Sequence, residues 1–210
     1  MAQAPKKYGV VLYEGFQLID VCGPIDVLNV LTTHVEGISL SIISESLKST
    51  STFPKTWPDK MGMPQFTTSQ LMTPTHTFET APQLDVLIIP GGMGCFDPDP
   101  NNVGQPNPTV VNSIVKFIQK QYPGLKYLVT VCTGSGITSL SGLLDGKKAT
   151  TARWVVDGNI WTSSGVCSGI DLMFGFVKEV YGEKIAQDIA VWMEYQRHED
   201  PTIDPFGIEG

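Results

Sequence analysis

Charge is scarce in this chain. Asp, Glu, Lys and Arg together make up 17% of the residues. No stretch gathers the Lys and Arg that nucleic acid or an anionic membrane surface requires. The 14 basic residues are outnumbered by 21 acidic ones, 14 − 21 = −7 at pH 7, which points away from both partners. No apolar run approaches the roughly 18 residues of a membrane span. Histidine is rare, with three copies, and the four cysteines (Cys22, Cys95, Cys132, Cys167) are scattered without a C-x-x-C pair. That spacing excludes a disulfide framework or a zinc site as the natural reading, and reduced thiols in a cytoplasmic protein are expected. The chain offers neither a His-rich site nor a P-loop, so neither a metal nor a nucleotide is expected.

The remainder is ordinary globular material. Hydrophobic residues are 41% of the chain and glycines number 21, enough for a sizeable core. At 210 residues the length is about 1.4 times a typical domain, so residues 1–210 read as one domain. The basic start MAQAPKK leads into an apolar stretch broken by Glu14 and Gly15. It reads as a first strand, not as a secretory segment.

Along the chain, strands and helices alternate. Residues 8–13, 38–43, 85–90 and 126–131 are short β-rich runs and read as strands. Asp20 precedes a helical pattern of Val21, Ile25, Leu28 and Leu31, where it could serve as an N-cap. Residues 107–120 form an amphipathic pattern, residues 134–144 a glycine-rich helix, and residues 169–181 and 183–195 two final helices. Residues 155–164 read as a hairpin turning at Asp157-Gly158. The Ser/Thr/Pro-rich residues 44–80 should hold a loop and a small β excursion. Such alternation implies an α/β fold with a mostly parallel sheet. One junction breaks it: KATT at 148–151 runs directly into ARWVV at 152–156, leaving no room for the dozen-residue crossover between parallel strands. On the residues alone this is one strand, straight or bent.

Three places could carry chemistry. Val131-Cys132-Thr133-Gly134-Ser135-Gly136 puts a cysteine between a buried strand and a helix, the layout of a nucleophile elbow. Small residues suit the sharp turn, and the helix N-terminus would favour a low-pKa, accessible thiolate. A buried structural cysteine is the bland alternative. Pro90-Gly91-Gly92-Met93-Gly94 could lend backbone N–H groups of Gly91 and Gly92 to an oxyanion, or be merely a turn. Asp20, beside Gly23-Pro24, is either the N-cap already noted or an acid.

The segments QLIDVCGP (17–24), PGGMG (90–94), VCTGS (131–135) and GLLDGKKATT (142–151), in this order, resemble the ThiJ/PfpI superfamily. Within it the chain resembles the isonitrile hydratase-like branch, with a fungal look. The resemblance covers nearly the whole chain and implies a flavodoxin-like three-layer sandwich, related to the class I glutamine amidotransferase-like fold, and a homodimer. It also implies an acidic residue at Asp20, the nucleophile at Cys132 and Thr133 beside it. Relatives continue A-T-T with His (Asn in fungal ones), a helix and a connection before R-x-V-V-D-G-N. Here roughly two dozen such residues are absent between Thr151 and Ala152, and with them the position of the active-site His. His34, His76 and His198 match no family position.

The resemblance therefore implies a cysteine-dependent, cofactor-free hydratase converting an isonitrile and water to an N-substituted formamide, with a small-molecule substrate as partner. Since two adjacent anions repel, neutral Asp20 with anionic Cys132 is the expected resting pair. Gly91, Gly92 and Thr133 would bind substrate or oxyanion. Three alternatives remain: a glyoxalase or deglycase, disfavoured by the missing His; a redox-responsive protein whose Cys132 is oxidised; and an inactive truncated paralogue. The missing crossover predicts bare apolar sheet and lower stability.

Overall fold

The computed structural model describes residues 3–54, 69–148 and 152–206. Strand β1 (Lys7–Val11) is followed by helix α1 (Leu18–Leu31), strand β2 (Ser39–Ser44) and the short strands β3 (Thr50–Ser51), β4 (Leu71–Met72) and β5 (His76–Thr77). Then come β6 (Val86–Ile89), α2 (Pro108–Gln121), β7 (Tyr127–Val131), α3 (Gly134–Ser139), β8 (Trp154–Asp157), β9 (Ile160–Ser163), α4 (Ser168–Tyr181) and α5 (Glu183–Trp192).

The main sheet runs β5-β2-β1-β6-β7-β9-β8, parallel except where β8 pairs antiparallel with β9. Val10, Val11 and the whole of β6 are buried, as an all-parallel centre covered on both faces requires. From β1 the chain steps through α1 to β2 in one direction, and from β6 through α2 to β7 in the other. Right-handed crossovers then place α1 and α2 on opposite faces, which makes the expected three layers. Helix α4 packs with α1 and α5, and α2 packs with α3. The strand order reverses between β1 and β6, and a crevice opens at the carboxyl ends of those strands.

Several local expectations need correction. Helix α1 starts at Leu18 with Gln17 as its cap, so Asp20 lies inside the first turn and is not the N-cap. Helix α3 ends at Ser139 instead of 144 and is followed by turns. The hairpin turns on Gly158-Asn159, because Gly158 alone adopts the left-handed conformation (φ +63°) that a tight two-residue loop needs. The β excursion within 44–80 is the β3–β4 ribbon together with β5, and residues 55–68 lie outside the described residues.

Of the KATT–ARWVV junction, residues 149–151 lie outside the described residues, and β8 begins at Trp154. Among the described residues no helix lies between Ser139 and Trp154. The sheet is nevertheless not bare there. Thr130, Val131, Thr162 and Ser163 are buried, and exposed apolar surface on the hairpin is confined to Val156 of β8. The tail beyond α5 returns along that edge, where Trp154 N–H donates to Pro201 O at 3.3 Å. The tail thus pairs one backbone N–H at the start of that open edge.

Candidate active site

Cys132 follows directly on β7 and is a non-glycine residue in the left-handed region, with φ +55°. Such a conformation is strained for a side chain and is the mark of an elbow that aims its residue out of the sheet. Its N–H donates to Ser163 O at 3.1 Å, tying the elbow to β9. Gly134 is obligatory, since a Cβ there would stand 2.2 Å from Ile89 O. Gly136 faces open space, so the close packing at the turn requires a glycine at 134 and not at 136.

Three segments from different parts of the chain meet at this elbow. Asp20 is wholly buried, and its Oδ2 accepts the Gly91 N–H at 2.8 Å. Gly92 N–H donates to Thr133 Oγ1 at 2.9 Å. Gly91 O accepts from Gln17 N–H at 2.8 Å, and the Tyr13 hydroxyl donates to Pro90 O at 3.2 Å. The Pro90-Gly91-Gly92 turn thus pins the end of β1, the start of α1 and the elbow together. It has to be glycine: a Cβ on Gly91 would lie 2.6 Å from Thr133 N and Oγ1 and 2.9 Å from Asp20 Oδ2. Both amides expected to face an oxyanion therefore face Asp20 and Thr133 instead. In this state they orient the Asp20 and Thr133 side chains.

The second carboxyl oxygen, Asp20 Oδ1, is buried without a hydrogen-bond partner among the described residues. Burial lifts the carboxyl from an ordinary 3.8 up to about 7, with the Gly91 N–H pulling the other way. Cys132 is also pushed above its ordinary 9.0, first by burial and then by Asp20, against the Thr133 N–H and hydroxyl that favour the thiolate. The expected low-pKa thiol beside a neutral acid is thus reversed. Burial of the sulfur outweighs the Thr133 donors, which favours a proton on Cys132 over one on Asp20.

Cys95 and Tyr13 belong to this site and were missed in the sequence. Cys95 is buried, and its Sγ–H donates to Thr133 Oγ1 at 3.6 Å. The available signal was its place at the end of the glycine-rich turn, where a 3-10 helix (Met93–Cys95) folds it back. Beside Thr133 and Cys95 opens an apolar cavity of about 180 Å³, walled by Phe96, Pro106, Val111, Ile137 and Leu140. The histidines stand elsewhere: His34 and His198 are exposed, and the His76 ring bonds Thr75 Oγ1 at 2.9 Å. Cys22 is half-buried and Cys167 exposed, and all four cysteines are free thiols. Among the described residues no group of three His, Cys, Asp or Glu side chains could hold a metal ion, and no helix is long and apolar enough to cross a membrane.

This strand–elbow–helix geometry agrees with the family match, which extends over residues 6–179 to the DJ-1/PfpI family. The chain belongs to the DJ-1/PfpI family. Isonitrile hydratase from Pseudomonas putida is 32% identical over 205 residues, spanning 89% of this chain and 77% of that protein. Among solved structures, a ThiJ/PfpI family protein from Pseudomonas syringae superposes with a TM-score of 0.70 at 24% identity, covering 100% of this chain and 83% of that one. Oxidised DJ-1 from Toxoplasma gondii superposes at 0.63 with 18% identity, covering 91% and 99%. The two superpositions bear on the fold, which is the DJ-1/PfpI sandwich expected.

Proposed function

We propose that this DJ-1/PfpI protein is a cysteine-dependent hydratase that converts isonitriles to N-substituted formamides. The observation that carries the reading is Asp20: a buried carboxyl with one oxygen unpartnered, titrating near neutrality beside Cys132. Such a group can take a proton and return it within one turnover. In the proposed cycle, ionised Asp20 accepts the Cys132 proton while sulfur bonds to the terminal carbon of the isonitrile. Asp20 then delivers that proton to the same carbon, leaving a thioimidate on Cys132. Water adds across the C=N bond, its oxygen to carbon and one proton to nitrogen. Collapse to the formamide breaks the C–S bond, and the remaining water proton returns to sulfur through Asp20. No step calls for a histidine, which disfavours the glyoxalase or deglycase alternative. The apolar cavity beside Thr133 is of a size to take the substituent on nitrogen.

The purified protein is assayed with an alkyl isonitrile and, in parallel, methylglyoxal, and the formamide is quantified. Wild type is expected to release it, Cys132→Ala to fall to background, and Asp20→Asn to lose about 10²–10⁴-fold. The active form carries one proton on the Asp20–Cys132 pair, so turnover should rise as pH passes about 7 and fall once Cys132 ionises above its usual range. Formamide release by Cys132→Ala, or turnover of methylglyoxal alone, overturns the reading. A homodimer in the cytoplasm is part of the proposal. Sedimentation giving only a species near 23 kDa counts against it.

A second reading, oxidation sensing, draws on the same site. Below about pH 7 a protonated Asp20 could hydrogen-bond a sulfinate on Cys132. Stoichiometric sulfinate formation by peroxide, in a protein that turns over no isonitrile, would favour it.

A further inference from the structure

Cys95 is a buried thiol to which the cycle above gives no task, yet it lies against the hydroxyl beside the nucleophile. Three groups compete for that hydroxyl. Gly92 N–H donates to Thr133 Oγ1 at 2.9 Å and Cys95 Sγ stands 3.6 Å from the same oxygen, while Cys132, the preceding residue, has its thiolate favoured by that hydroxyl. Thr133 also occupies the N-cap position of α3, but its side chain caps nothing. It is held wholly by these neighbours.

A hydroxyl has one proton and two lone pairs. Gly92 fills one lone pair. One proton and one lone pair are left for two sulfurs, so one sulfur must donate and the other accept. Burial decides between them. Cys95 is only 4% exposed, and desolvation, its largest influence, keeps it protonated. Cys132 is more open and is the sulfur that must become negative. We propose that Cys95 is a positioning residue whose S–H fills the second lone pair of Thr133 Oγ1 and so commits the hydroxyl proton to Cys132 Sγ. With that lone pair empty, the hydroxyl is free to rotate away and the developing thiolate loses a donor. This inference rests on Cys132 being the reacting thiol of the proposed function, but not on the substrate being an isonitrile.

The test is alkylation of Cys132 by iodoacetamide between pH 6 and 10, read on the Cys132 peptide by mass spectrometry. Cys95→Ala is expected to move the pH profile upward and slow labelling at pH 7 by about three- to tenfold, a tenfold change being one pKa unit. Cys95→Ser, which keeps a donor, should recover most of the rate. In a Thr133→Val background, Cys95→Ala should add nothing, since the two residues act in series. If Cys95→Ala unfolds, Cys95→Val fills the site without a strong donor and carries the same comparison. A Cys95→Ala profile that overlays wild type overturns the proposal, as does an equal effect in both backgrounds. Isonitrile turnover is measured on the same proteins. If every variant, wild type included, is inactive while the alkylation shift persists, the hydratase reading fails and the role of Cys95 stands.

Discussion

Two aspartates in this protein are equally inaccessible and opposite in design. Asp20 and Asp171 are both 0% exposed. Asp171, in the first turn of α4, is surrounded by donors. Arg153 reaches its Oδ2 through Nε at 2.8 Å and through Nη2, while the Tyr195 hydroxyl and the His198 N–H reach Oδ1 at 3.1 and 3.0 Å. Asp20 has one backbone N–H on one oxygen and nothing on the other. Burial disfavours a carboxylate, and the partners it finds decide its role. A saturated, ion-paired carboxylate is a tie between elements, here joining α4 to the segment that enters β8 and to the C-terminal tail. A carboxylate left short of donors is destabilised as an anion and becomes a proton carrier near neutral pH.

The largest test of this contrast is the removal of each negative charge. Asp171→Asn leaves Arg153 buried, with only Asp204 at 3.8 Å, and breaking a buried pair from one side costs about 3–5 kcal/mol. At roughly 2–4 °C per kcal/mol for a chain of this size, the melting temperature should drop by about 6–20 °C. A wild-type melting curve for Asp171→Asn would show that the tie is dispensable.

Asp20→Asn should move stability the other way. The carboxyl ionises near 3.8 when unfolded and at about 7 when folded, so between these values the folded protein binds more protons. Stability therefore falls as pH rises through that window, by an upper bound of about 4 kcal/mol that is fully lost above pH 7. An asparagine escapes this penalty and keeps an acceptor for Gly91 N–H. Asp20→Asn is expected to melt above wild type at pH 8, with the advantage fading toward pH 4. Equal curves at pH 8 would mean that Asp20 is not strained by burial, and its role as proton carrier would fall with it.

The smallest expected effect concerns the thiols. The elbow pattern favours Cys132 over Cys22, Cys95 and Cys167 in alkylation, but Cys167 is exposed and Cys132 only partly so. Brief iodoacetamide treatment near neutral pH should label Cys167 at least as fast as Cys132, and Cys22 and Cys95 more slowly. Preferential labelling of Cys132 would restore the low-pKa thiolate and place the resting proton on Asp20.

Much of this was legible along the chain, because the cues were local. The runs behind β1, β6 and β7 are continuous and apolar, a pattern set by burial on both faces, and they fall within a residue or two of the observed strands. The elbow was legible too, since a cysteine between a strand and small residues is a contiguous signal. Asp20 was ambiguous for a physical reason. A capping aspartate and a buried acid share the same position before an apolar helical run, and the choice depends on what lies across the crevice. That neighbour, Gly91, is 71 residues away. The thiol of Cys95 was equally silent, because its partner Thr133 belongs to another strand–helix unit.

The sequence by itself determined the strands, their parallel class, the elbow and the absence of a histidine at it, because short-range patterning and residue identity suffice for these. Only the tertiary structure decided that the Gly91 and Gly92 amides hold Asp20 and Thr133, that burial pushes Cys132 up and Asp20 to about 7, and that the C-terminal tail bonds to the start of β8. Ionisation and hydrogen-bond partnership depend on desolvation and on distances between distant segments. Those quantities come into existence when β1, β6 and β7 bring their carboxyl ends to one crevice.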